Sequence, residues 1–431
     1  MEKIIYLECI IATAIRYWLF ESDHNVILAN RIEVSTPLNS WKRVLEGVVL
    51  YNEGTNPYVG DMFHETPLIL WFFTWIIEHF SIKFINLLFI ICDIITSFVL
   101  HQTAEMYLQQ LFQQQEKDKI TYAEDVDEAL LKKDDVSLAP LYVLSAYLFN
   151  PYCILNCIGK TTTVLSNLFL SLFFYTMLKG YHFCTCNILV LSTMQSFYPV
   201  ILIVPLCLYS YRLTGKQSIM RAILPVVYFL SSLCIAFYMS YIITADWSFV
   251  NATFNFILNV PDLKPNIGLF WYFFTEMFEH FRPLFLCSFQ INATVLYLTP
   301  LSIRLRNEPV LLAMTLTALT AIFKSYPSIG DVGFYIALLP MWKHLFQFMQ
   351  QGFIVTCFFI GCSMFAPTVW HLWIYSGSAN ANFYFGVTLA FATTQIFLVT
   401  DLLFAYVKRE FMLKHGISKS IEGKDVKLVL D

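Results

Sequence analysis

Runs of about twenty apolar residues, separated by short polar breaks, recur along the chain from residue 4 to residue 406. A helix rising about 1.5 Å per residue needs roughly 20 apolar residues to cross a hydrocarbon core of about 30 Å. The pattern predicts spans near 4–20, 84–106, 139–157, 162–178, 182–198, 199–211, 222–243, 283–301, 309–323, 332–349, 352–369 and 383–406. It describes an all-α polytopic membrane protein with about 12 transmembrane helices. The stretch TPLILWFFTWIIEHF (66–80) is too short to cross and is expected to lie shallow or re-enter. No small-residue cleavage site follows residues 4–20, so that segment reads as a retained first helix.

No internal repeat and no glycine- or proline-rich linker divides the chain. Residues 1–407 therefore read as a single multi-span domain and 408–431 as a charged tail. Two long polar stretches interrupt it: 33–66, after the first span, and the mixed-charge 107–138, expected to be helical or partly disordered. If the N-terminus is cytosolic and every span crosses, 18 of the 27 Lys and Arg residues fall on the cytosolic side, six of them in the tail. That bias is what the positive-inside rule expects, and it places both termini in the cytosol.

Composition sharpens this picture. The chain is 57% hydrophobic and only 13% charged, against about 25% charged in soluble domains. Its 41 Phe and 24 Tyr suit lipid contact and interfacial belts. A net charge of −4 without a basic stripe excludes a nucleic-acid protein. Cys92, Cys207, Cys234, Cys287, Cys357 and Cys362 fall inside apolar runs and read as plain buried thiols. Cys184-Thr185-Cys186 has the wrong spacing for a paired zinc knuckle.

The polar clusters collect on the side opposite the tail: FHETP (63–67), NCIGK (156–160), QSFYP (195–199), 259–281, KSYPSIGD (324–331) and HLWIYSGSANANF (371–383). Polar groups at a membrane boundary are costly unless partnered, so this one-sidedness predicts a pocket open on that face. Within 259–282, NIGLFWYFFTEMFEHF reads as an amphipathic interfacial helix, with Trp271, Tyr272 and the phenylalanines at headgroup depth. Its Glu276, Glu279 and His280 form a polar edge; zinc motifs need two His or Cys on one face, so no metal is expected. Asn251-Ala252-Thr253 is a glycosylation sequon on the pocket side, whereas Asn292 of a second sequon lies inside a span. Cys157 is the one thiol in these loops that could be weighed as a nucleophile, and it lacks a nearby histidine.

PLNSWKRVLEG, HETPLI, VPDLKPNIGLFWYFFTEMFEHF, FKSYPSIGD and WHLWIYSGSANANF resemble, in order and across most of the chain, the phosphatidylinositol-glycan class U (PIG-U) family. That resemblance implies a multi-pass endoplasmic-reticulum membrane subunit of GPI transamidase, with 33–66 and 259–282 luminal and 107–138 cytosolic. Its partners would be the other subunits, including a caspase-like cysteine protease that performs the transfer. The GPI glycolipid and a pro-protein carrying a C-terminal signal complete the set. The family is also similar to GPI mannosyltransferases of the GT-C fold, whose first luminal loop carries an acidic pair. Aligning EG-x-x-PY and TPL puts that pair opposite Thr36-Pro37-Leu38-Asn39-Ser40, where no Asp or Glu stands. Transferase chemistry therefore reads as lost, leaving a non-catalytic, GT-C-like scaffold without a cofactor.

With the resemblance, Asn380 and Asn382 are the leading candidates for contacting the glycolipid head, since amides both donate to and accept from sugar hydroxyls. Lys324 could pair with a phosphate, and His64 and Glu65 could line the same pocket; Asp262, Glu276 and Glu279 are weaker candidates. Two rivals remain at this point. One is an active GT-C transferase using a dolichol-phosphate sugar, with Asp61 and Glu65 as its carboxylates. The other is a secondary transporter, against which stand the missing inverted repeats and the scarcity of in-span charges beyond Arg16 and Asp93.

Overall fold

A computed structural model describes residues 2–212, 219–416, 420–421 and 424–425. The apolar runs become helices because buried backbone polar groups in a lipid environment must be satisfied within the segment. The chain opens with α1 (Glu2–Glu21), the short α2 (His24–Ala29), α3 (Trp41–Asn52) and α4 (Pro67–His79). Next come α5 (Ile82–Asp118), α6 (Lys133–Leu148) and α7 (Pro151–Ile158). The last two meet at a 44° bend, where Pro151 lacks an N–H and the Asn150 side chain caps the Tyr152 N–H. Helices α8 (Thr163–Lys179), α9 (His182–Ser196) and α10 (Ile203–Arg212) follow. Then come α11 (Ile219–Thr244), α12 (Ser248–Val250), α13 (Phe256–Asn259) and α14 (Phe270–Glu276). The remainder is α15 (Arg282–Thr294), α16 (Leu298–Arg304), α17 (Pro309–Phe323), α18 (Ile329–Leu338), α19 (Gly352–Ile374) and α20 (Ala381–His415). Two-residue strands at 420–421 and 424–425 pair antiparallel.

Every segment expected to span is at least partly helical, but length and composition do not carry twelve spans. Among the described residues five helical segments are long and apolar enough to cross a membrane, or six if α6 and α7 form one bent span. The difference has physical causes. Helices α8 and α17 are apolar but stop at 17 and 15 residues, and Glu8 and Arg16 interrupt α1.

Three boundaries also move. Helix α5 continues to Asp118, well into the stretch 107–138, and α20 continues to His415, so the tail's first residues are helical. Residues 417–419, 422–423 and 426–431 of that tail, and Lys216, lie outside the described residues. The single interfacial helix expected over 259–282 is instead an extended run, the seven-residue α14 and a one-turn 3-10 segment Glu279–Phe281. Pro261 and Pro265 explain the extended run, since neither can donate to a helix.

Contacts between loops sort into two ends. At the tail end, Arg304 pairs with Glu410 at 2.8 Å and Lys343 with Asp135 at 3.2 Å. Arg409 donates to the Ala129 carbonyl and to Gln115. At the opposite end the first long loop meets Asp246, Ser248, Ala252, Asp262, Ile329 and Tyr384. Between the ends, Arg16 and Asp93 form a fully buried ion pair, Nε to Oδ2 2.9 Å. Tyr147 donates to the other Asp93 oxygen at 3.0 Å, and Arg16 Nη1 donates to the Leu148 carbonyl. The pair ties α1, α5 and α6 together.

Helix α3 lies on a core in which Trp41 meets the edges of Phe73 and Phe89. Gly47 lets this helix approach Phe63, since a Cβ there would sit 2.4 Å from the ring of that fully buried side chain. Gly47→Ala is therefore expected to overpack the site, costing about 1–3 kcal/mol. Thermal melts of the purified protein check it, with Val49→Ala on the exposed face of the same helix leaving the melt unchanged.

Candidate functional site

The site is built at the end opposite the tail, where helix termini and loops from distant parts of the sequence are pinned to one another. Arg43 on α3 is mostly buried and pairs with Asp262 at 2.8 Å, fastening the first loop to the stretch after α13. His64 follows three residues behind Asp61. Its Nε2 lies 3.1 Å from the Asp61 carbonyl and its Nδ1 2.8 Å from the Ala252 carbonyl. The ring stacks on Phe256 at 3.5 Å, and Phe256 in turn stacks on Tyr326. Burial pushes the imidazole down to about 4, so at neutral pH it is uncharged and donates a single hydrogen bond.

Glu65 is next in the chain and fully enclosed. Burial raises its carboxyl to about 8, opposed only by a hydrogen bond with Thr162, and its Oε2 has no partner. At neutral pH it is largely a neutral acid. Of the Asp61–Glu65 pair weighed as transferase carboxylates, Glu65 is enclosed and Asp61 is exposed.

The loop that would hold an acidic pair in a transferase is occupied by structural bonds. Asn39 Oδ1 accepts from the Thr36 N–H, and Asn39 Nδ2 donates to Thr163 at 2.8 Å. Just upstream, Glu33 takes two bonds at 3.1 Å from Arg31, lies 3.4 Å from the Tyr384 hydroxyl and gives its carbonyl to the Ile329 N–H.

The expected head-group residues are both exposed at the start of α20. Asn380 is its N-cap, with Oδ1 accepting from the N–H groups of Asn382 and Phe383, which leaves its amide nitrogen outward. Asn382 Oδ1 accepts from the Tyr272 hydroxyl at 2.5 Å. Tyr272 stacks on Phe385 at 4.3 Å, and Trp271 packs among Trp373, Tyr384 and Phe385. Trp271 was expected at headgroup depth. It is buried with its Nε1 unpartnered, because rings from α19 and α20 close over it.

The other expected residues divide. Lys324 is not a free cation: it pairs with Asp331 at 2.7 Å, and Asp331 also caps α18 together with Ser328. Asp262 belongs to the site through Arg43. Glu276 and Glu279 do not, being exposed on either side of the break after α14. Glu279 faces Arg282 at 3.6 Å, and among the described residues no three His, Cys, Asp or Glu side chains group as metal ligands. Asn251 is exposed in a π-helical turn, while Thr253 of its sequon is buried and bonded to the Phe249 carbonyl. Cys157 is fully buried beneath the Arg16–Asp93 pair, out of reach of any substrate.

Beside these loops run two cavities that share Cys287. One of about 530 Å³ is lined by Asn259, Arg282 and Gln290, and one of about 490 Å³ is lined by Phe270, Phe289, Leu296 and Ile322. The first is polar-edged and the second apolar. Glu33 and Arg43 are participants that sequence reasoning missed, and Trp271 and Tyr272 were read as interfacial anchors and not as part of this site. The run FWYFF signalled an aromatic wall, but nothing local pointed to Glu33.

Comparison with known proteins finds relatives that cover the whole chain. The family model described as GPI transamidase subunit PIG-U matches residues 10–391. The chain is 40% identical over 442 residues to the Homo sapiens GPI-anchor transamidase component PIGU, covering all of both chains. The Mus musculus protein of that name is equally similar, 40% with full coverage of both. The Saccharomyces cerevisiae GPI transamidase component GAB1 is 27% identical, with 89% of each chain covered. A helical membrane chain whose similarity to these proteins runs from end to end belongs to the PIG-U family of GPI transamidase subunits.

Proposed function

We propose that this chain is a non-catalytic subunit that receives the GPI glycolipid in the endoplasmic-reticulum membrane and presents it for attachment to protein C-termini. The observation that carries the reading is the juxtaposition at the start of α20. Exposed Asn380 and Asn382 amides stand over an aromatic wall of Tyr272, Trp271 and Phe385. Amides bond sugar hydroxyls, and aromatic faces cover the apolar faces of sugar rings. The cavities along α15 would take acyl chains, with Arg282 at their polar edge near the phosphate. The polar end faces the lumen in this reading, both termini are cytosolic, and the remaining transamidase subunits supply the nucleophile. The scaffold is GT-C-like with its acceptor-activating acids replaced by the Asn39 lattice.

The test is Asn382→Ala alone and together with Asn380→Ser, a change that keeps an oxygen for the helix cap. Surface GPI-anchored reporter should fall several-fold, with GPI lipid and uncleaved pro-protein accumulating, while the complex still co-purifies. Loss of the complex instead would make these side chains structural. Unchanged attachment would remove them from the glycolipid site.

A further inference from the structure

We propose that a crevice at the tail end is a separate lipid site, built for one phospholipid with a zwitterionic, amine-bearing headgroup. The crevice, about 1010 Å³, is formed by the first turns of α1 and α6 against the middle and far parts of α5. Its place at the tail end follows from the neighbouring bonds of Asp135 to Lys343 and of Ala129 to Arg409. It shares no residue with the cavities along α15 and does not depend on the glycolipid reading.

Chemistry changes along its length. Ile5, Cys9, Ile94, Ile95 and Phe98 form a wholly apolar stretch, and beyond it His101, Gln102, Glu105, Gln109 and Ser137 bring in polar groups among Phe112, Val136 and Pro140. On α5 the lining residues from Ile94 to Gln109 cover about 22 Å. One leaflet of hydrocarbon is about 15 Å deep, so a single groove passes from acyl-chain depth to headgroup depth. Ile95, Phe98 and Tyr6 are 43%, 46% and 68% exposed, so the groove opens sideways to the bilayer. The Nδ1 of His101 is buried without a partner, a polar atom left for the glycerol or ester region.

Charge selects the occupant. The charged groups that line the crevice are Glu105 and Lys133, one acid and one base. Two other nearby acids are already engaged, Asp135 by Lys343 at 3.2 Å and Glu8 by Ser145 at 2.7 Å, while Asp134 is exposed beside Lys133 and outside the lining. Among the described residues Glu105 itself receives a long 3.4 Å bond from Gln109 and lies near His101. A zwitterionic headgroup answers both charges, phosphate toward Lys133 and ammonium toward Glu105. An anionic lipid would oppose Glu105, and an apolar helix of another subunit would desolvate both charges without pairing them.

The experiment uses the assembled complex in nanodiscs containing equal parts phosphatidylcholine, phosphatidylethanolamine and phosphatidylglycerol. Trace diazirine-tailed phosphatidylethanolamine or phosphatidylglycerol is added, and labelled peptides are mapped by mass spectrometry. Labelling by the ethanolamine probe should concentrate on residues 94–109 and 133–140 and exceed the glycerol probe at least fivefold. Glu105→Lys, at an exposed position, should reverse that preference, and Ile95→Trp should reduce labelling by both probes at least fivefold. Equal labelling by the two probes, or labelling that neither variant changes, overturns the proposal. So does a photoreactive amino acid at Phe98 that captures another subunit and not lipid.

Discussion

Replacing Asp93 with alanine is expected to destabilise the protein by about 3–5 kcal/mol, the cost of leaving one member of a buried ion pair without the other. Arg16 and Asp93 are each fully buried, and the arginine reaches α5 through Asp93 and α6 through the Leu148 carbonyl. Without the carboxylate the guanidinium has no counter-ion, and Tyr147 loses its acceptor as well. The measurement is the melting temperature of the purified protein together with its steady-state level in cells. Asp93→Asn, which keeps an acceptor for Tyr147, should lose less. Arg16→Met combined with Asp93→Leu should recover most of the stability, because a well-packed apolar pair can replace a buried ionic one. If Asp93→Ala melts with the native protein, the pair does not hold these helices together.

Stability should also depend on pH through the first loop, and in opposite directions for two neighbouring side chains. The Glu65 carboxyl is raised from 4.5 to about 8 by burial. Its contribution is complete below about pH 4.5 and is lost as pH rises through 8, a total of roughly 5 kcal/mol at about 1.4 kcal/mol per pH unit. His64 is lowered from 6.5 to about 4. Its contribution is complete above 6.5 and is lost as pH falls through 4. Melts should therefore stay level from pH 5 to pH 6.5, where the two effects offset, and decline from pH 6.5 to pH 8.5 for the native protein, whereas Glu65→Gln, which keeps the shape without the charge, should rise up to pH 6.5 and then stay flat. Parallel declines in both proteins would remove Glu65 as the cause.

The helices were legible where apolar runs are bounded by punctuation, as at Pro67, Gly180 and Pro309, whereas Pro151, which divides the expected span 139–157, was passed over. Span lengths were less legible, because hydropathy does not register where a helix such as the 15-residue α17 stops. The stretch 259–282 was misread for another reason. Its aromatic residues look interfacial in sequence, yet Trp271 is covered by Trp373, Tyr384 and Phe385, about a hundred residues away. Lys324 looked like a free phosphate ligand although its partner stands seven residues on, in the Ser328–Asp331 capping box. That box was readable from SIGD, since Ser and Asp three apart before an apolar run cap a helix. His64 and Glu65 were singled out as polar, whereas their enclosure comes from packing against Thr162, Ala252 and Phe256.

Helices α5 and α20, of 37 and 35 residues, are each more than 50 Å long, well beyond a hydrocarbon core of about 30 Å. Their far ends are clasped at the tail end, where Arg409 grips Gln115 and the Ala129 carbonyl and the Ala123 N–H reaches the Leu413 carbonyl. Neither helix can slide along its axis without breaking that clasp. Because an α-helix is stiff over such a length, the clasp fixes the axial position of the whole of α20, and with it the position of Asn380 and Asn382 at its other tip.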